Sequence, residues 1–372
     1  MKSYSFFAVT ASSLLLLFSQ TSTAAEKLPP LVYESPEEFF GSGDFDGDGR
    51  ADMVIVDRVS GKYRLGYQTE PGTLAWVDCR PSGVASVTGF SIGALFATNL
   101  DALAFTSPDA NQMAFIEAAS ITAPGKPLTV PFTVALGPSA LVAADVGGDG
   151  NTGLLDIYVT SIYNSPDANL ATLLRNDGAQ FPKISEAALP APARRGNRLA
   201  LKAGGREMVC VLLGEDKGDT LRVDDVSSGK PVTAATLSDL PAGSDYTVGN
   251  FRGSPLREFL FYKPGEKTLM VRPVEEASAG QFQFGKGDSF DLGQPIRRVI
   301  ALEQSTSPKL FVIFGEGQKA GIYDFDGTKA PVSLQTISAT NDLFTCAASL
   351  PEGFVVLLQI PGAKFSSKYQ IY

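Results

Sequence analysis

The stretch GDFDGDGRADMVIVD, residues 43–57, places four aspartates within nine residues and follows them at once with an apolar run. The acids alternate with other residues, with one step skipped, and they are Asp44, Asp46, Asp48 and Asp52. Carboxylates this close would repel one another strongly without a cation between them. The segment MVIVD is rich in β-branched residues and indicates a strand. The stretch therefore predicts an acidic, cation-binding loop that leads into a β-strand.

Calcium is the cation that suits this loop best. Ca²⁺ takes six to eight oxygen ligands at about 2.3–2.6 Å, whereas Mg²⁺ keeps several of its waters. Gly47 and Gly49 allow the positive φ angles with which a loop can curl around an ion. An EF-hand would need glutamate at the twelfth position and flanking helices, but that position is Ile55 and a strand follows. The alternative is a hydrated DG-rich hairpin that binds no ion.

The frame of turn, apolar strand, glycine-containing hairpin and second strand recurs along the whole chain. A spacing of about 50 residues suits four short strands, which is the size of a propeller blade. No long window shows a clean helical period, so we expect little helix. The sequence predicts an all-β fold, a β-propeller of seven blades with four antiparallel strands each. The copies start near Gly43, Gly89, Ala144, Leu201, Gly249, Ala301 and Ala348.

Closure of the ring is expected to involve the N-terminal part of the chain. Tyr372 lies inside what reads as the third strand of the last copy. An open propeller would expose strand edges. We therefore expect LVYES, residues 31–35, to supply the missing strand of the seventh blade. Six or eight blades are also compatible with the weaker copies, and two packed β-sandwich domains are the alternative fold.

The pattern D-x-D-G-D-G-x-x-D before a strand resembles the FG-GAP/VCBS-type repeat, which is known from integrin α-subunit propellers and many exported bacterial proteins. The third copy adds LLRNDGAQF, residues 173–181, which is similar to the N-D-G-x-x-F hairpin that ends such repeats. The resemblance rests on motifs in the first and third copies and on the frame alone in the others. It implies a β-propeller that carries Ca²⁺ in loops of its blades.

The resemblance also implies a ligand set in each of the two motif-bearing copies. In the first copy the side-chain ligands are the four aspartates named above, and Arg50 offers its backbone carbonyl because its side chain would repel the ion. In the third copy Gly147 replaces an expected aspartate, so that loop should bind weakly or not at all. Its candidate ligands are Asp145, Asp149, the carbonyl of Asn151, and Asp156, which follows an insertion. The segment YDFDGT, with Asp324 and Asp326, is expected to be only a solvated turn.

The N-terminal sequence indicates export. MKSYSFFAVTASSLLLLFSQTSTAAEK has a basic start, a short apolar run and a small-residue cleavage site, so residues 1–25 are predicted to be a signal peptide. The rest, residues 26–372, is predicted to form one propeller domain without a membrane span. We expect a secreted, periplasmic or cell-envelope protein. Two of the three cysteines, Cys210 and Cys346, lie in apolar runs and are expected to be buried free thiols.

The net charge and the residue composition argue against several classes of partner and catalyst. The net charge of −9 argues against nucleic acid as a partner, because phosphate binding needs a basic surface. The chain contains no histidine, which excludes Ser-His-Asp and Cys-His catalysis. We therefore expect a monomeric, calcium-stabilised binding or adhesion module for an extracellular protein or glycan. The alternatives are a polysaccharide lyase or hydrolase on the same scaffold, and a structural domain of a secreted assembly.

Overall fold

The computed structural model describes most of the chain after the predicted signal peptide. All regular secondary-structure elements in the described residues are β-strands. No helix long and apolar enough to cross a membrane is found among those residues. The described residues are 32–117, 128–131, 137–147, 153–161, 169–178, 180–193, 199–203, 205–215, 217–252, 257–278, 281–302, 308–350, 353–363, 366 and 368–372.

The strands form seven separate antiparallel sheets, which we call blades 1–7 in chain order. Blade 1 consists of β1 (Tyr33–Glu34), β2 (Glu38–Gly43), β3 (Asp52–Asp57), β4 (Lys62–Glu70), β5 (Thr73–Trp76) and β6 (Arg80–Pro81). Blade 2 consists of β7 (Gly89–Ala97), β8 (Leu100–Ser107), β9 (Gln112–Glu117) and β10 (Leu128–Pro131). Blade 3 consists of β11 (Pro138–Ala144), β12 (Asp156–Ser161), β13 (Leu170–Leu174) and β14 (Lys183–Ala188).

The later blades follow the same plan. Blade 4 consists of β15 (Leu199–Ala203), β16 (Arg206–Glu215), β17 (Gly218–Asp225) and β18 (Val232–Leu240). Blade 5 consists of β19 (Asp245–Gly249), β20 (Glu258–Tyr262), β21 (Thr268–Ser278), β22 (Gln281–Phe284) and β23 (Asp288–Asp291). Blade 6 consists of β24 (Ile296–Leu302), β25 (Lys309–Phe314), β26 (Lys319–Asp324) and β27 (Val332–Ser338), and blade 7 of β28 (Leu343–Leu350), β29 (Gly353–Gln359) and β30 (Lys368–Ile371).

The arrangement is a seven-bladed β-propeller, as the sequence predicts. Within the blades, successive strands pair as antiparallel neighbours, except that β6 pairs with β4 and β23 pairs with β21. Apart from the two-residue strand β1, which lies inside β2, the innermost strands contact counterparts in neighbouring blades, for example β2 with β7 and β24 with β28. These innermost strands are β2, β7, β11, β15, β19, β24 and β28. The residues taken above as starts of the copies all lie in these innermost strands. The number of strands varies from three in blade 7 to six in blade 1, rather than being four throughout.

The inner strands of the blades are buried on both faces, which explains the continuous apolar runs, whereas an outer strand such as β27 is largely exposed. All six residues of β3 are buried. Successive side chains of a strand point to opposite faces of the sheet. Accordingly Val54 and Val56 belong to an apolar cluster shared with blade 2, whereas Met53 and Ile55 belong to one shared with blades 6 and 7. Full burial of such a side chain stabilises the folded state by about 1.5–3 kcal/mol. Because these side chains lie between neighbouring blades, the seams between blades form the core.

The ring closes by side-chain packing between blades 7 and 1. One apolar cluster spans blades 6, 7 and 1, and it includes Phe311 and Phe354. At the same seam the buried carboxylate of Glu38 accepts hydrogen bonds from the N–H and the hydroxyl of Ser366, at 2.6 and 2.9 Å. Tyr369 of β30 lies 6.2 Å from Trp76 of β5, measured between ring centroids. These contacts join the first and last blades without a shared strand.

The predicted role of residues 31–35 in completing blade 7 is wrong. In the described part of this segment, β1 pairs with β2, in the register Tyr33 with Phe40 and Glu34 with Phe39. The pairing is favourable because it satisfies the edge of the innermost strand. It is held by an ion pair of 3.1 Å between Arg58 and Glu34. The first strand therefore lies inside the ring rather than at the outer edge of the last blade.

The expectation for the two cysteines in apolar runs is confirmed. Cys210 of β16 and Cys346 of β28 are buried free thiols, and Cys79 is a free, exposed thiol. Burial raises the pKa of Cys210 beyond its usual range and the pKa of Cys346 to about 12. The two buried thiols are therefore protonated and act as small apolar side chains.

Candidate metal site

The acidic loop of blade 1, residues 44–51, connects β2 to β3 and is anchored by a buried aromatic ring. Phe45 is completely buried in the seam between blades 1 and 2. Gly47 and Gly49 have φ angles of 80° and 81°, in the region that only glycine adopts without strain. The buried ring and the two glycines together turn the intervening residues outward. The curl that the sequence predicts is therefore present.

Asp44 is the buried member of the three acids at positions 44, 46 and 48. It is buried, and its Oδ1 accepts the N–H of Gly47 at 2.8 Å. Its Oδ2 accepts the N–H of Gly49 at 2.9 Å. Each oxygen keeps a further lone pair, since a carboxylate has about four acceptor sites in all. The side chain is therefore held in one orientation while it can still bind a cation.

Three of the predicted ligands converge. Carboxylate oxygens of Asp44, Asp46 and Asp48 all lie within 4.8 Å of one another. Two oxygens that share one Ca²⁺ at about 2.3–2.6 Å can be at most roughly 5 Å apart. Asp46 and Asp48 are exposed, and each accepts a backbone N–H two residues further on, at 3.2 and 2.8 Å. The donor set of hard oxygens and its spacing thus fit Ca²⁺. No other group of three or more potential metal-ligating side chains is found in the described part of the chain.

Asp52, the fourth predicted ligand, has a different environment from the other three. It is completely buried at the start of β3. Its Oδ2 accepts the N–H of Phe45 at 2.9 Å, and its Oδ1 accepts the N–H of Gln68 at 2.8 Å. Burial raises the pKa of this carboxyl to about 7, although the two N–H donors oppose the rise. Asp52 therefore ties the loop to β4 and does not belong to the converging group.

The positively charged side chain of Arg50 lies against the acidic loop and pairs with one of its carboxylates. Its Nε donates to the carbonyl of Gln68 at 2.7 Å, and its guanidinium forms an ion pair with Asp48. The guanidinium thus neutralises one of the carboxylates that a metal ion would bind. A cation at this loop would compete with Arg50 for Asp48.

The acidic loop of blade 3 is described only in part. Asp145 is exposed directly after β11, and Asp156 is buried at the start of β12. Asp149 and Asn151 lie outside the described residues. Oδ1 of Asp156 accepts the N–H of Asn176 at 2.7 Å, so this acid binds the predicted N-D-G hairpin. Its role matches that of Asp52 in blade 1.

The N-D-G hairpin of blade 3 joins that blade to its neighbour. Asn176 is fully buried, and its Nδ2 donates to the carbonyls of Leu95 in blade 2 and Leu155, at 2.7 and 2.9 Å. Asp326 in YDFDGT instead accepts N–H groups of Thr328 and Lys329, both at 2.9 Å, within its own exposed turn. These local hydrogen bonds lower the pKa of Asp326 to about 2. Asp326 is a turn residue, as the sequence predicts.

A row of buried acids is the feature that the sequence reasoning missed. In each of blades 1–5 an acid occupies the first or second position of one strand, namely β3, β8, β12, β16 or β20. All of them are buried. The signal in the sequence is an acid directly before an apolar run, as in DMVIV, DALAF, DIYVT, EMVCV and EFLFY. These residues are Asp52, Asp101, Asp156, Glu207 and Glu258.

Comparisons with known proteins support the fold and go no further. No protein-family model and no curated protein matches the chain. A crystal structure of BBS1N in complex with ARL6DN, soaked with mercury, is similar with a TM-score of 0.53 and 12% identity, over 90% of this chain and 88% of that chain. The Cps50 (Swd1) β-propeller domain of Myceliophteria thermophila is similar with a TM-score of 0.50 and 9% identity, over 95% and 99%. At such identities the likeness shows only a shared propeller architecture.

Proposed function

We propose that this protein is an exported, calcium-stabilised β-propeller that binds an extracellular protein or glycan. The observation that carries the proposal is the convergence of Asp44, Asp46 and Asp48 within 4.8 Å on a loop curled by two positive-φ glycines. The signal-peptide pattern of residues 1–25 supports export to a secreted, periplasmic or cell-envelope location. The Ca²⁺ sites of extracellular modules have weak dissociation constants, and the calcium concentration in such compartments is high enough to fill them.

The three carboxylates would coordinate the ion. Other residues of the loop would orient the carboxylates. Ca²⁺ supplies positive charge that offsets the mutual repulsion of the acids. Asp44 is oriented in advance by the N–H groups of Gly47 and Gly49. The loop leads directly into β3, which is buried on both faces. Metal binding at this place would therefore stabilise the first blade rather than perform chemistry.

The polar groups at the inner strands favour binding over catalysis. The chain contains no histidine. Both carboxylate oxygens of Glu38, a buried acid of an innermost strand, accept hydrogen bonds from Ser366. A glycosidase would need two carboxyls facing the scissile bond on opposite sides of the sugar. Glu38 is instead engaged in holding blade 7 against blade 1, so it is not available for that role.

The calcium part of the proposal is tested by thermal unfolding. The chain without residues 1–25 is melted in EDTA and in millimolar Ca²⁺, with Mg²⁺ as the control cation. A ligand that binds only the folded state raises stability by mass action, so we expect a higher Tm in Ca²⁺ than in EDTA or Mg²⁺. Coincident melting curves in Ca²⁺ and EDTA would show that the loop is a hydrated hairpin.

The binding part is tested on a panel of soluble and insoluble polysaccharides and on cell-envelope extracts. Depletion of the protein from solution and release of sugar are measured together, in Ca²⁺ and in EDTA. Depletion without release, stronger in Ca²⁺, would support a glycan-binding module. Capture of a defined envelope protein without polysaccharide binding would support the protein-binding form. Release of sugar would overturn the proposal in favour of the polysaccharide-degrading alternative.

A further inference from the structure

The acidic loop of blade 1 is joined to blade 2 by two hydrogen bonds with one residue. Asp101, the second residue of β8, is buried. Its Oδ2 accepts the N–H of Asp44 at 2.9 Å. Its own N–H donates to the carbonyl of Asp44 at 2.8 Å. The first acid of the loop is therefore held by its backbone from the neighbouring blade, while its side chain faces the other two acids.

The approach of the two blades at this point is close. A Cβ atom added to Gly43, the residue before Asp44, would lie 3.0 Å from Oδ2 of Asp101 and 2.9 Å from a methyl carbon of Ile92. Contacts of this length require a neighbour to move. Only glycine at position 43 lets Asp101 reach the backbone of Asp44. The position of the loop thus depends on the seam between blades 1 and 2.

The same arrangement occurs at the second motif-bearing loop. Oε1 of Glu207, the second residue of β16 in blade 4, accepts the N–H of Asp145 in blade 3 at 3.2 Å. Asp145 occupies the position in blade 3 that Asp44 occupies in blade 1. In blade 6 the residue at the corresponding strand position is Lys309, and the loop of blade 5 that precedes it begins with Asn250 rather than aspartate. An acid of the neighbouring blade therefore accepts the N–H of the first loop residue at both loops that carry the motif.

We propose that Asp101 is a positioning residue for metal binding by the loop of blade 1, so that the metal links blades 1 and 2. This inference rests on the proposed calcium site. Asp101 fixes the backbone of Asp44, and a metal ligand that is oriented in advance binds its cation more tightly. By reciprocity, an ion that holds Asp44 in place also stabilises its hydrogen bonds to Asp101.

The affinity of the loop for Ca²⁺ tests the proposal. Ca²⁺ binding is measured by calorimetry for the wild type, for Asp101→Asn and for Glu258→Gln. Glu258 is the matched control, because it is a buried acid at the start of a second strand and accepts the N–H of Phe251 at 2.8 Å in a loop without an acidic cluster. Loss of a residue that orients a metal ligand costs about 10–100-fold in affinity. We expect this loss for Asp101→Asn and an unchanged dissociation constant for Glu258→Gln.

Amide hydrogen exchange of the wild type provides a test that does not depend on a variant. Added Ca²⁺ should slow exchange of the Asp101 N–H, which bonds across the seam, and leave the Phe251 N–H unchanged. Equal affinity of wild type and Asp101→Asn, or unaltered exchange at Asp101 on saturation with Ca²⁺, would overturn the inference while leaving the calcium site intact. Absence of Ca²⁺ binding by the wild type would overturn both, and is recognised before any variant is compared.

Discussion

The loops that open blades 1 and 5 have the same length and the same anchors but opposite charge. Residues 44–51 join β2 to β3 in blade 1, and residues 250–257 join β19 to β20 in blade 5. In both loops the second residue is a buried phenylalanine, Phe45 or Phe251. The N–H of that phenylalanine is accepted by the acid that begins the next strand, at 2.9 Å by Asp52 and at 2.8 Å by Glu258. The framework of the loop is thus shared.

The charged residues within the two loops differ. Blade 1 carries Asp46 and Asp48, whereas blade 5 has Arg252 and Ser254 at the corresponding positions. Arg252 donates from Nε and Nη2 to the carbonyl of Gly327 in blade 6, at 3.0 and 2.6 Å. Residues 253–256 lie outside the described residues. The comparison teaches that the anchors determine the shape at the loop's ends, while the residue after the buried phenylalanine differs in charge, with Asp46 in blade 1 and Arg252 in blade 5.

The largest expected effect tests the shared framework. Phe45→Ala and Phe251→Ala should each lower the free energy of unfolding in EDTA by about 3–5 kcal/mol, because each leaves a cavity in a seam. Urea denaturation in EDTA measures both. Val59→Ala is the control, since Val59 is 76% exposed and its truncation should have little effect. A much smaller loss for one phenylalanine than for the other would show that the two loops are not equivalent.

The next prediction is that only the loop of blade 1 makes the stability of the protein depend on Ca²⁺. Asp46→Asn combined with Asp48→Asn should abolish the increase in stability with Ca²⁺, which amounts to about 4 kcal/mol for a thousandfold excess over the dissociation constant. In EDTA the same variant should be at least as stable as the wild type, because like charges are removed. Thermal unfolding in both conditions measures this. Asp326→Asn, in the exposed turn of blade 6, should keep the full response. A persistent calcium response in the double variant would place the ion elsewhere.

The internal cation of blade 5 is tested by Arg252→Gln. The two hydrogen bonds of the guanidinium to Gly327 should be weakened or lost, and bonds of charged groups contribute about 1.5–3 kcal/mol. Chemical denaturation should show a loss near the lower end of this range, because Arg252 is partly exposed. The difference in stability between Ca²⁺ and EDTA should be unchanged. A changed calcium increment would mean that the loops of blades 1 and 5 are coupled.

The arginine of blade 1 should act in the opposite direction. Arg50→Gln removes the guanidinium that pairs with Asp48, so Ca²⁺ would no longer compete with it. An exposed ion pair is worth at most about 1 kcal/mol, which corresponds to an increase in Ca²⁺ affinity of up to about fivefold. Calorimetric titration at low salt measures the change, and the increase should shrink at high salt. Weaker binding by this variant would show that Arg50 supports the site rather than opposing it.

The smallest effect concerns the acid that anchors the loop of blade 5. Burial raises the pKa of Glu258 above its ordinary value of 4.5. The folded state therefore favours the protonated acid, and this stabilisation is complete below pH 4.5 and disappears as the pH rises through the folded-state pKa. Glu258→Gln should reduce the loss of Tm between pH 4.5 and neutral pH in EDTA. Identical pH profiles for wild type and variant would show that Glu258 does not contribute to the pH dependence.

Local features of the site were predictable because they depend on residues close together in the chain. The positive φ angles follow from Gly47 and Gly49, and the convergence of Asp44, Asp46 and Asp48 follows from their alternation around that curl. The contribution of Asp101 was not predictable. It lies 57 residues from Asp44, and DALAF reads as an ordinary strand start until the two blades are placed side by side.

The separate role of Asp52 likewise depends on a partner distant in sequence. Its position in the motif matches a ligand, but in the fold it accepts the N–H of Gln68 from the adjacent strand β4. The closure of the ring also could not be read from the chain. LVYES is a suitable strand for either edge, and its pairing with β2 is accompanied by contacts that form only in the fold, such as the ion pair between Arg58 and Glu34. Strand pairing is set by contacts across the sheet, which a linear pattern does not contain.

By itself the sequence determined the all-β class, the recurring strand pattern of a propeller blade, the buried thiols and the acidic curl of blade 1. These properties arise from side-chain alternation and from glycine's freedom at positive φ, which act over a few residues. Only the tertiary structure decided which edge β1 joins, that Asp52 supports the loop instead of facing the other acids, and that Asp101 holds Asp44 from the next blade. Those outcomes depend on which blades pack against each other, because buried polar groups must find partners wherever the fold brings them.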